Sequence, residues 1–169
     1  MDTTKKQPTL MDLSVAIAPL THITNIRLLK SSIEAKAWSG DAPVTLQHSF
    51  DATSELDREA KILSVRTSLE ISAGDVLQVS AEFLLDYTIS DSPVEITDEA
   101  ADAFGKMNGI HNIWPYWREY VQSASVRAGL PPLVVPLITG KSLVAYYKTK
   151  HTHAEHDDDE MRENESVET

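Results

Sequence analysis

The residue types that do chemistry are few in this chain, and their spacing works against most of it. Gly140-Lys141-Ser142 has the ending of a phosphate-binding loop, but that motif needs a glycine five positions before Gly140, where Val135 stands. A proline-rich apolar stretch precedes it in place of a buried strand and a glycine-rich turn. His151, His153 and His156 lie beside carboxylates, and imidazole with carboxylate suits zinc, nickel or copper. A tail without packing gives such ligands nothing to orient them, so no metal site is assigned. His22, His48 and His111 are scattered and read as surface or satisfied polar groups. The absence of cysteine removes disulfide scaffolds, thiolate metal sites and cysteine nucleophiles together, and fits a reducing compartment. No serine nucleophile elbow, paired-carboxylate motif or helical zinc-protease motif occurs. The chain reads as a non-enzyme with no catalytic residue and no cofactor.

Charge narrows the partners. Of the formal net charge of -11, the stretch from Glu155 to Thr169 carries -7, with eight acids against Arg162. Binding nucleic acid needs a cationic footprint that displaces counterions from phosphates, and neither tail nor body has a dense Lys/Arg stripe. No apolar run approaches the roughly 20 residues that span a bilayer. Lys5-Lys6 followed by Leu10 to Leu20 has the outline of a signal peptide, but Asp12 interrupts a short apolar region. Residues 1–19 read instead as a flexible arm and 149–169 as a solvated, disordered acidic tail, leaving one domain over 20–148.

The elements inside that domain change period part-way along. Leu77, Val79, Ala81, Phe83, Leu85, Tyr87 and Ile89 alternate with polar residues, as do Leu63, Val65, Thr67, Leu69 and Ile71. Ser72-Ala73-Gly74-Asp75 between the two runs predicts a hairpin. Val44, Leu46 and Phe50 mark another strand, and an earlier one runs from about Ile23 to Ala37, its phase changing at Leu28-Leu29 as at a bulge. Trp38 to Pro43 then forms a crossover loop between the first two strands. Beyond Pro93 the period becomes helical. Thr97 or Asp98 caps a short helix expected to end at Asn108-Gly109, and a stronger one begins near Asn112 with Pro115 in its first turn. Gly129 and Pro131-Pro132 end it. Leu133 to Ile138 form an extended apolar arm, followed by a short helix around Leu143 to Tyr147. The predicted class is α+β, a four-stranded antiparallel sheet with a crossover loop and two C-terminal helices.

Trp114-Pro115-Tyr116-Trp117, followed by Arg118-Glu119-Tyr120, is the densest aromatic cluster. One helix cannot hide aromatics at successive positions against a single sheet, so Trp114 and Tyr116 call for a second surface, another subunit or a bound chain. Asn112-Ile113-Trp114-Pro115-Tyr116-Trp117-Arg118-Glu119, then Ser123, then Gly129-Leu130-Pro131-Pro132-Leu133 and Pro136, resembles the pattern of SecB export chaperones, a helix opening Asn-Ile-x-x-Pro-Tyr-x-Arg-Glu before a turn and an apolar arm. This sequence is one residue shorter before the proline. The similarity spans about residues 20–148 and is strongest over 108–138.

The resemblance implies a cytoplasmic homotetramer, a dimer of dimers, whose apolar grooves hold unfolded preproteins without ATP and keep them competent for translocation. It places client contacts at Trp38 in the crossover loop, at Trp114, Tyr116 and Trp117, and at Leu130, Leu133, Val135 and Leu137 on the arm. It places docking of the translocation ATPase SecA at Glu34 and Asp75, whereas a further acidic position of that patch is Lys30 here. That departure favours an alternative duty within the family, a chaperone dedicated to the antitoxin of a toxin-antitoxin pair. A non-chaperone interaction module or small-ligand carrier, with a deep closed pocket in place of open grooves, is the remaining alternative.

Overall fold

A computed structural model describes residues 7–37, 45–93 and 95–150. The chain divides into two compact units, Met1–Leu137 and Ile138–Thr169. In the first, four strands, β1 (Thr21–Ala35), β2 (Leu46–Asp57), β3 (Ile62–Ala73) and β4 (Leu77–Ile89), form an antiparallel sheet in the order β1-β4-β3-β2. Because β1 and β2 lie at opposite edges, their connection must cross the width of the sheet. This is the crossover that the sequence predicts, although Trp38 to Val44 lie outside the described residues.

Alternation decides which face is covered. On β3 and β4, Leu63, Val65, Leu69, Ile71, Leu77, Val79, Phe83, Leu85 and Tyr87 are all buried, while the intervening Arg66, Ser68, Gln78 and Thr88 are exposed. The two strands pair in unbroken register from Ile62↔Thr88 to Ala73↔Leu77, closed by Gly74 at φ 55°. The β2–β3 turn uses Lys61 at φ 54°, a left-handed residue with no glycine to announce it, and Asp57 accepts from the Ala60 amide at 2.8 Å. Register shifts on β1 fall between Leu28 and Lys30, where the sequence changes phase, and also between Ile23 and Asn25.

The helical layer departs from expectation at both ends. Residues 10–17, read from sequence as part of a flexible arm, form α1 (Leu10–Ile17). Thr9 and Asp12 close a reciprocal capping box, and Ser14 and Ile17 are buried. A 3₁₀ turn (Ala18–Leu20) leads into β1. The expected stop at Asn108-Gly109 is overridden. α2 (Asp98–Phe104, capped by Thr97) runs through a π turn (Gly105–Gly109) into α3 (Ile110–Arg127) without a break. Gly109 keeps right-handed dihedrals (φ -58°, ψ -52°), so its role is close approach and not a left-handed end. A Cβ on Gly109 would lie 2.7 Å from Val65 Cγ1, and one on Gly105 would lie 2.2 Å from Ser54 Oγ.

Pro115 consequently sits inside α3 rather than in its first turn. The carbonyl that loses its helical bond, four residues back, belongs to His111, which is exposed. At the far end the expectation holds. Gly129 is left-handed (φ 76°), the Leu130 amide reaches Ser125 O and the Gly129 amide reaches Val126 O, both at 3.0 Å, a Schellman ending.

In the second unit, residues 140–150 are helical. Thr139 and Ser142 exchange amide-to-hydroxyl bonds of 2.8 and 3.2 Å across the first turn. Gly140-Lys141-Ser142 is therefore a helix start, with its serine engaged in capping. The acidic tail from His151 lies outside the described residues.

Candidate functional site

The apolar arm is held by three side chains of α3. Trp114 Nε1 donates to Pro136 O at 2.8 Å, Arg118 Nε to Val135 O at 2.8 Å, and Ser125 Oγ accepts the Leu133 amide at 2.9 Å. Positions 114, 118 and 125 fall on one helical stripe, so an extended chain running back along α3 meets all three. The clamps grip backbone atoms, which leaves the side chains to alternate. Val135 turns inward and is 1% exposed, while Val134 and Leu137 face outward at 66% and 76%.

Of the aromatic cluster, Trp114 and Trp117 are buried. Trp114 packs edge-on to Phe50 of β2, with centroids 5.6 Å apart, and Trp117 stacks with Tyr120 at 6.2 Å. The second surface that Trp114 required is supplied within the chain by the arm. Tyr116 is half exposed. Leu130 and Leu133 are partly covered, and Trp38 lies outside the described residues. A groove of about 230 Å³ between α3 and the arm, lined by Pro115, Arg118, Glu119, Gln122, Leu133, Val134 and Val135, opens to solvent.

A second apolar strip lies on β1. Ile23 pairs with Tyr87, Leu28 with Phe83 and Ile33 with Val79, so all three share the covered face of the sheet. Their β4 partners are buried, yet Ile23, Leu28 and Ile33 are 45%, 47% and 41% exposed. Edge strands with such faces are hazards unless something covers them. Sequence alternation showed the strand but not that this edge lacks cover, because coverage depends on where the helices lie.

The opposite sheet face is polar and internally paired. Arg27 meets Asp86 at 3.2 Å, Arg66 meets Glu82 at 3.5 Å, and Gln78 donates to Glu70. Glu34, opposite Gln78, is exposed on this face. Asp75 stands in the β3–β4 turn with Lys36 Nζ 3.6 Å away. Lys30 pairs with Glu82 in the β1–β4 ladder. Under the helices, burial pushes the Tyr87 phenol up to about 12, partly offset by the hydrogen bond that Asn112 Nδ2 donates to its oxygen at 3.0 Å. No helix of the described residues is long and apolar enough to cross a membrane, and the described residues hold no cluster of metal-ligating side chains.

An open four-stranded antiparallel sheet in the order β1-β4-β3-β2, with a crossover from edge to edge and helices on one face, is the α+β fold of the SecB-like chaperones. Among solved structures, the SecB-like chaperone of Mycobacterium tuberculosis, in complex with a ChAD peptide from the HigA1 antitoxin, matches with a TM-score of 0.71 at 24% identity. The match covers 77% of this chain and 98% of that one. A protein of unknown function from Streptococcus agalactiae matches at a TM-score of 0.40 and 12% identity, covering 69% and 97%, and carries no argument. No protein-family model and no curated protein matches the chain.

Proposed function

We propose that this protein is an ATP-independent holding chaperone that binds unfolded polypeptides. The observation that carries the reading is the arm. Its backbone is clamped by Trp114, Arg118 and Ser125 while Val134 and Leu137 are left in water, Val134 lines an open groove, and Tyr116 is half exposed on α3. A surface of this kind offers a mobile client many weak apolar contacts, each raising the local concentration for the next. Each residue ordered costs conformational entropy, so shallow contacts are better suited to such a client than a deep pocket. Leu130 and Leu133 extend the proposed contact surface, and Trp38 is proposed as a further client contact. Trp114, Trp117 and Val135 support it from the core and reach a client only if the arm lifts.

The strip of Ile23, Leu28 and Ile33 is the proposed subunit contact of a homotetramer in the cytoplasm. The duty within the SecB-like class is proposed to be the dedicated one, with an antitoxin or a similar single client. Lys30, and the ion pairs that occupy Asp75, Glu82 and Asp86, weigh against a basic partner such as SecA docking through Glu34 and Asp75. Holding of general preproteins for translocation is the second reading, favoured by the sequence-tolerant character of the arm. Binding of a labelled, permanently unfolded carboxymethylated protein to Tyr116→Ser, Val134→Asp and Leu137→Asp variants tests the site. Each is expected to weaken binding about tenfold or more with an unchanged melting temperature, and unaltered binding in all three would move the site elsewhere.

A further inference from the structure

The segment Leu10 to Leu20 is apolar apart from Asp12 and Ser14, and α1 packs against α2 and the π turn. Those two elements are buried over most of their surface, at Ala100, Ala101, Ala103, Phe104, Gly105 and Met107, with Asp98, Glu99, Asp102 and Lys106 on the side that meets solvent. The sheet accounts for one flank, where Gly105 and Gly109 lie on Val65 and Phe104 meets Tyr87 edge-on at 5.0 Å. α1 accounts for another.

Three features favour a contact that can be exchanged. Eight residues are too few for a helix to stand alone, since isolated helices need about 12–15 residues in water. Ser14 Oγ donates to Asn108 Oδ1 at 3.0 Å, a neutral bond of the kind that contributes only about 0.5–1.5 kcal/mol net. The seat, rich in alanine and glycine, carries few side chains whose shape would select one occupant. The seat also continues into a surface already bare. Three residues after α1 the chain enters β1, and Ile23 opens the exposed strip on the same side of the sheet.

We propose that α1 is an internal stand-in for client, seated on the flank of α2 and the π turn, and that an apolar segment of an unfolded chain takes this seat when α1 lifts. The inference rests on the holding function proposed above and adds its regulation, because α1 then competes with client at every encounter. An occupant in the same molecule is always at high local concentration, so only segments that out-compete it are retained. The competition screens out weakly apolar chains.

The chain has no cysteine, so a tether can be installed cleanly. The full-length Ser14→Cys, Asn108→Cys variant is oxidised, or bridged with a short bismaleimide where the direct bond does not form, and titrated against labelled carboxymethylated lactalbumin, which has no free thiol. A truncation beginning at Pro19 and a synthetic peptide of residues 7–18 added in trans complete the set. The tethered protein is expected to bind at least tenfold more weakly than the reduced or unbridged one. The truncation is expected to bind correspondingly tighter, and the peptide to compete. Equal binding by tethered and untethered protein would overturn the proposal while leaving the holding function intact, whether or not the truncation folds. Absence of binding in the folded wild type would overturn the holding function itself.

Discussion

Ser54 and Gly105 form a pair whose consequences are sharp enough to measure. Ser54 Oγ is buried without a hydrogen-bond partner, and a Cβ on Gly105 would stand 2.2 Å from it but 3.6 Å from Ser54 Cβ. Gly105→Ala is therefore expected to destabilise the fold by roughly 1–3 kcal/mol through overpacking. Ser54→Ala should be neutral or slightly stabilising, because it removes an orphaned hydroxyl together with its desolvation cost. In the double variant the nearest remaining contact is Val65 Cγ1 at 3.3 Å, tight but without the 2.2 Å overlap, so most of the Gly105→Ala loss should be recovered in urea titrations. An additive result would mean that the methyl clashes with Val65 instead. Tyr87 gives a second residue-scale expectation. Its phenol ionises near 10 in the unfolded chain and at about 12 in the folded one, chiefly through burial. Its contribution to stability is present in full below pH 10 and is lost as pH rises from 10 to 12. Tyr87→Phe should flatten that part of a stability-against-pH curve. Neither site was legible in sequence. An unpartnered serine and a raised phenol both depend on which helix lies above them.

At the scale of elements, the arm is the clearest case of structure written in side chains that sequence reading passed over. Arg118 attracted no role beyond its place in the family pattern and Ser125 attracted none, yet with Trp114 they fix residues 133–136 along α3. Arg118→Ala leaves a carbonyl without its charged donor and is expected to cost about 1.5–3 kcal/mol. Amide exchange confined to 133–137 should rise before global stability falls. Unchanged exchange there would remove Arg118 from the clamp. The strands and the Schellman ending at Gly129 were readable because alternation and glycine placement are local properties. The continuity of α2 into α3 was not. Asn108-Gly109 carries the signature of a helix stop, but the approach of Gly105 and Gly109 to Val65 overrides it. α1 was equally hidden, because an eight-residue apolar segment becomes a helix only when α2 and the π turn offer it a surface.

At the scale of the molecule, the β1 strip and the outward side of the arm are both uncovered among the described residues. Different partners are proposed for them. Leu28→Asp, or Ile33→Lys, is expected to lower the solution mass by light scattering at micromolar concentration. Tyr116 and Leu137 variants should leave the mass alone and affect client. A strictly monomeric wild type would contradict the assignment of the β1 strip. The measurement that bears most directly on the central claim is the aggregation of a chemically unfolded protein diluted into buffer with this chain at equimolar subunits and no nucleotide. Suppressed light scattering is the predicted result. Undiminished scattering from a well-folded, correctly assembled sample would contradict it.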